Sequence, residues 1–162
     1  MDELVLRGMA KWPEVPAVFG WLLLDRRGNW LLRNPARNSY ERIANVKLRD
    51  FISHTYAADE HGRWYFQNGP QRVFARLAYT PLVLRSDGNA FVDQCGRPFD
   101  CGSAMLDEQG SLLMVGSRGV ALLDDRDLQG YAEALGEAAE RLPRIESCEV
   151  PPRFGFVAEP AP

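Results

Sequence analysis

Apolar residues in this chain come in short runs, and the period of each run predicts its element. Val18-Phe-Gly-Trp-Leu-Leu-Leu24 carries almost no polar side chain, which predicts a strand buried on both faces. In Arg63-Trp-Tyr-Phe-Gln67 the residues alternate. Trp64 and Phe66 share one face and Arg63, Tyr65 and Gln67 the other, as in a sheet with one wet side. Similar runs predict strands at about 29–33, 72–77, 81–85, 89–93, 102–106, 111–115 and 119–123. Pro81 and Pro98 suit strand starts or edges, because proline cannot donate to a ladder.

Two segments switch to helical period. Leu48, Phe51, Ile52 and Tyr56 fall on one side of a helix that Asn45 can cap. Leu128, Tyr131, Ala132, Leu135, Ala139 and Leu142 form a second stripe, with Asp124 or Asp125 at its start and Pro143 at its end. Glu137 and Arg141 stand four apart in the favourable order. Gly130 lies on the polar side of this helix, and Gly136 flanks the stripe, where a neighbouring backbone could approach. The last segment, 146–162, is Pro-rich and reads as an extended tail with helix disfavoured, laid over the sheet by Phe154 and Phe156 or offered to a partner's groove.

One turn pattern recurs: Asp25-Arg-Arg-Gly28, Asp59-Glu-His-Gly62 and Asp107-Glu-Gln-Gly110, each followed one residue later by a large apolar side chain. An Asp side chain accepts from N–H groups two residues on, and Gly takes the left-handed conformation that closes the hairpin. Asp-x-x-Gly also occurs in calcium loops, but those need further carboxylates and a closing Glu that these copies lack. The copies begin at 25, 59 and 107, too irregular for a solenoid repeat. The reading is one α+β domain over 1–145, a mainly antiparallel sheet built from several hairpins with two helices on it. Two pseudo-repeated sheet-and-helix lobes are the alternative.

With 162 residues and 46% apolar composition, the chain can bury a core without disulfides or metal. A net charge of −3 gives nucleic acid no electrostatic footing. The absence of an 18-residue apolar run argues against a membrane span. The acidic start Met-Asp-Glu is the wrong sign for a signal peptide, so the expected setting is the bacterial cytoplasm. Arginine outnumbers lysine 17 to 2; GC-rich coding explains this as simply as recognition of carboxylate or phosphate does.

Candidate chemistry is sparse. There is no nucleophile elbow, phosphate loop or His-Glu-x-x-His. Cys95 and Cys101 enclose five residues, a spacing unlike zinc or redox pairs, so neither metal nor cofactor is expected. The densest polar-aromatic stretch is the hairpin 63–72. Arg63, Trp64, Tyr65, Gln67, Arg72 and Arg76 are the candidate binding residues, since Arg, Trp and Tyr dominate binding hot spots. The same pattern also fits a wet sheet face whose aromatics simply pack. Trp12-Pro-Glu-Val-Pro16 reads as a rigid loop whose Trp packs under the sheet or anchors a partner.

Met1–Trp21 and His61–Phe74 together resemble a family of small proteobacterial proteins of unknown function. The resemblance covers chiefly the first half of the chain. It implies a bacterial setting and brings no activity, cofactor or catalytic residue. Two functions therefore stand side by side. One is a non-catalytic module that binds a protein partner or itself as a homodimer. The other is a binder or enzyme that holds a small anionic ligand where Arg63, Arg72 or Arg76 converge with Tyr65 in a pocket.

Overall fold

The computed structural model describes residues 17–162; the Trp12–Pro16 loop lies outside them. The residues divide into two compact units. Among the described residues the first comprises 17–25, Asn29–Ala78 and Phe156–Pro162, and the second Arg26–Gly28 and Tyr79–Gly155. Each unit contains a six-stranded sheet, and the fold is α+β with mainly antiparallel pairing.

In the first unit the elements are β1 (Val18–Leu24), β2 (Trp30–Asn34), β3 (Ser39–Arg42), α1 (Val46–Thr55), β4 (Ala57–Ala58), β5 (Trp64–Asn68) and β6 (Gln71–Leu77). Their order across the sheet is β3-β2-β1-β6-β5-β4. The central neighbours β1 and β6 are parallel, and every other pair is antiparallel. The second unit carries β7 (Leu82–Asp87), β8 (Ala90–Asp93), β9 (Pro98–Phe99), β10 (Ser103–Leu106), β11 (Leu112–Gly116) and β12 (Gly119–Leu123). Its order is β9-β8-β7-β12-β11-β10, again with first and last strands parallel at the centre. The two sheets thus repeat one topology.

In that order the third and fourth strands lie on opposite edges, and the two units join them differently. In the first, α1 makes the crossing. The Asn45 side chain accepts from the Leu48 N–H and caps it, a contact worth about 1 kcal/mol. Leu48 and Ile52 are buried, Trp30 donates to Ser53, and Trp30 and Phe66 meet Tyr56 and Phe51 edge-on. In the second unit only Asp100, Cys101 and Gly102 separate β9 from β10. Four Cα steps reach about 15 Å at most, whereas a flat sheet holds its edge strands about 24 Å apart. The second sheet must therefore curl. Its contacts agree: Gly102 N–H donates to the Val115 carbonyl, Ser117 to Asp100, and Arg118 to Asp93 and to the Pro98 carbonyl.

The Asp-x-x-Gly turns share one geometry, and the structure adds a fourth copy, Asp93-Gln-Cys-Gly96. The carboxylate of each Asp accepts the N–H four residues on, and the glycine φ values lie between 76° and 80°. The Asp93 copy escapes the sequence pattern because Arg97-Pro98 follows it instead of a large apolar residue.

Three expectations change. The strand β1 is not buried on both faces: Leu22 and Leu24 point into the core, while Trp21 on the other side is 43% exposed. The second helical stripe is α-helical only over Leu128–Leu135 (α2), because Gly136 adopts φ 59° and ends it, and a 3-10 turn continues to Arg141. The tail is not extended throughout. Ser147–Glu149 forms a 3-10 turn with a Glu146–Glu149 capping box, followed by α3 (Val150–Phe154). Pro151 and Pro152 fall in its first turn, where a missing N–H costs nothing, and Gly155 closes it in the left-handed conformation. Beyond Phe156 the chain is irregular.

Candidate functional site

The register of the first sheet decides which candidate residues meet. Tyr65 lies opposite Phe74 and Gln67 opposite Arg72. Alternation then places Arg63, Tyr65, Gln67, Arg72, Phe74 and Arg76 on the outward face, away from α1. Trp64 points the other way, half-buried against Tyr56 at 4.9 Å. Five of the six predicted residues therefore share a face, and Trp64 is separated from them.

That face is layered. Phe19 of β1 stacks on Phe74 at 4.7 Å, and Tyr65 leans on Phe74 at 5.6 Å. Guanidinium groups lie over this aromatic layer: Arg63 sits 4.7 Å from the Phe74 centroid and Arg72 4.4 Å from that of Tyr65. Such contacts are worth about 0.5–1 kcal/mol when exposed. The arginines differ in what else they hold. Arg63 donates to the Asp59 carboxylate and to the Ala161 carbonyl. Burial pushes the Asp59 carboxyl up, but the Arg63 and His61 N–H groups and the Arg63 guanidinium outweigh it and hold it below its ordinary range. Arg76 is kept cationic by the Tyr40 hydroxyl and by Glu159, whose carboxylate lies 2.9 Å away. Gln67 donates to the carbonyls of Gly69 and Gln71. Arg72 is exposed and has no carboxylate partner among the described residues.

Arg63, Arg72 and Arg76 share this face, each with its own contacts. A different pair of arginines lines a cleft, in the second unit. Arg26 and Arg27 border a volume of about 320 Å³ with Ser111, Asp125 and the apolar walls Leu122 and Leu128. Arg26 donates to the Ser111 hydroxyl at 2.6 Å and lies over Tyr79, while Arg27 makes a two-pronged pair with Asp125. Beneath, the buried Asp107 accepts from the Tyr79 hydroxyl and the Ser111 N–H. Burial and then Asp107 push the Tyr79 phenol far up, so it stays protonated. A second cleft, of about 430 Å³, runs between Phe91 and Tyr131. Gly130 lines it, although a Cβ there would meet nothing within 4 Å.

Sequence reasoning missed Phe19, Phe74, Asp59 and Glu159. Alternation from Arg72 to Arg76 already puts Phe74 on the outer face. The parallel β1–β6 pairing that brings Phe19 to it leaves no local signal. Cys101 donates toward the Ser103 carbonyl, and among the described residues no group of three His, Cys, Asp or Glu side chains could hold a metal. No helix there is long and apolar enough to cross a membrane.

Fold and face together define an α+β protein of two like-ordered six-stranded sheets, one of them carrying an arginine–aromatic outer layer. Residues 1–161 match the family model DUF2944, described as "Protein of unknown function (DUF2946)", and the chain belongs to that family. No curated protein matches it. Among solved structures it is similar to a DUF1285 family protein from Silicibacter pomeroyi DSS-3, at 14% identity and TM-score 0.51, covering 79% of this chain and 82% of that one. A DUF1285 family protein from Shewanella baltica OS155 matches at 12% identity and TM-score 0.47, covering 69% and 90%. The first likeness shows the fold alone.

Proposed function

We propose that the protein is a non-catalytic binding module that takes an acidic protein partner on the outward face of its first sheet. The observation that carries this reading is Arg72: exposed, laid over Tyr65, and without a carboxylate of its own among the described residues. A guanidinium held over an aromatic ring has already lost rotamer freedom, so its donors reach a partner's carboxylate at reduced entropic cost. Exposed Trp21 adds apolar area to the same side of the sheet. The test compares wild type with Arg72→Ala by sedimentation for self-association and by quantified capture of a purified partner. The reading expects at least tenfold weaker binding, a loss of about 1.4 kcal/mol. A folded variant that binds as well as wild type overturns it.

A second reading has its own support in the Arg26–Arg27 cleft. The Arg26 guanidinium and the Ser111 hydroxyl over apolar walls suit a small carboxylate or phosphate with an apolar body, with Arg27 held beside them by Asp125. Thermal shift against such anions tests it, because an occupied site raises the melting temperature with ligand concentration. If no anion shifts the wild type beyond an Arg26→Ala variant, this reading fails.

A further inference from the structure

The outer face of the first unit already carries a peptide, residues 157–162 of the same chain. The β5–β6 register, continued past Tyr65 and Phe74, sets Gly62 opposite Leu77. The two strands have parted there, and Val157 and Ala158 lie between them. The Val157 N–H donates to the Gly62 carbonyl at 2.9 Å, and the Leu77 N–H donates to the Ala158 carbonyl at 2.8 Å. One strand end thus offers an acceptor and the other a donor, as in strand addition to a sheet. Beyond these bonds, Arg76 pairs with Glu159 and Arg63 donates to the Ala161 carbonyl. Pro160 and Pro162 alternate with these two contacts and leave no N–H to satisfy.

We propose that this slot is a receptor for an extended acidic peptide, and that residues 157–162 are its resident occupant. A partner segment with a small residue, then a carboxylate, then proline displaces it in trans. This rests on the protein-binding reading above and names that partner's chemistry. The resident is suited to exchange. The Glu159 side chain is 71% and the Arg76 side chain 48% exposed, and an exposed ion pair between long side chains holds weakly. The tether nonetheless supplies the tail at a millimolar effective concentration, so a free peptide competes poorly until the tail is loosened.

The experiment uses the full chain labelled with nitrogen-15 and the acetylated hexapeptide of residues 157–162. Glu159→Arg sets like charges together, and the amide signal of Leu77 is expected to move as the tail leaves. Adding the hexapeptide should return that signal toward its wild-type position, at least tenfold more tightly than any binding to the wild-type chain. A hexapeptide with Gln for Glu should bind about two- to fivefold more weakly, as loss of an exposed ion pair implies. The charge-swapped chain, Arg76→Glu with Glu159→Arg, should recover the docked signal without peptide and so shows that folding is intact. An unmoved Leu77 amide in Glu159→Arg, or a released slot that ignores the peptide at saturation, overturns the proposal. Neither result touches the Arg72→Ala comparison, so the two readings fail separately.

Discussion

The two sheets share one strand order and spend their outward faces differently. In the second unit Leu82, Val83 and Leu84 are buried in succession, as are Leu112, Leu113 and Met114, and Val120 to Leu123. Its central strands are covered on both sides. In the first unit β6 reads Arg72 exposed, Val73, Phe74 and Ala75 buried, Arg76 exposed. Phe74 is covered on that side by Phe19, Tyr65 and the Arg63 guanidinium, so the outer layer of the first sheet is built of arginines over aromatic rings, where the second sheet's central strands bury aliphatic side chains. Strand order therefore does not distinguish the two outward faces; the side chains that alternate onto them do.

The crossing between edge strands is the sharpest structural difference, and breaking it separately in each unit gives the largest effects. Ile52 of α1 is fully buried. Ile52→Ala is expected to cost about 2–5 kcal/mol. Trp30 and Trp64 report on this unit and the second unit contains no Trp, so urea unfolding followed by Trp fluorescence should move strongly. A midpoint unchanged from wild type would mean that α1 is not the plug of this sheet.

In the second unit the equivalent stress point is Gly116. A Cβ there would collide with the Asp100 carbonyl and crowd the Phe99 ring. Gly116→Ala is expected to destabilise by about 1–3 kcal/mol, read by far-UV circular dichroism. If it is neutral, the three-residue link does not lie against β11, and the curl inferred from chain length is wrong.

These two positions also mark what could be read in the chain. Asn45, the stripe through Ile52 and the hairpin glycines are local signals, and their elements form within a residue or two of expectation. Three short strands, β3, β4 and β9, left no periodic run long enough to notice. The link at Asp100–Gly102 looked like an ordinary loop, because only strand order reveals that it must join opposite edges. For the candidate face, alternation groups Arg63, Tyr65 and Gln67 and places Trp64 with Phe66 on the opposite side, as the register has it. Phe19 and Glu159 reach the face across 55 and 83 residues of sequence from Phe74 and Arg76, which no local pattern encodes.

Acid sharpens the comparison at Asp59, whose side chain is buried beside Arg63. Its folded-state pKa is lowered, while the unfolded chain titrates near the ordinary ~3.9. Between those values the unfolded state binds the proton and the folded state does not. The stabilisation is thus complete above the ordinary value and is lost as pH falls through the folded one. Asp59→Asn should flatten the acid limb of first-unit stability measured by Trp fluorescence. An equally steep limb in the variant would assign it to other carboxylates.

The smallest expected effect on stability is the one that matters most for function. Arg72 is exposed and its guanidinium lies over the Tyr65 ring. Removing it forfeits one exposed cation–π contact, so Arg72→Ala should lower stability by about 0.5–1 kcal/mol. The binding reading expects a tenfold loss from the same substitution, and the contrast separates recognition from packing. A core side chain changes both quantities together, as Ile52→Ala must. A recognition side chain changes binding more than it moves the urea midpoint. If Arg72→Ala instead lowers stability by as much as the core substitution, the outer layer is a packed face like that of the second unit. The two sheets would then differ in chemistry without differing in role.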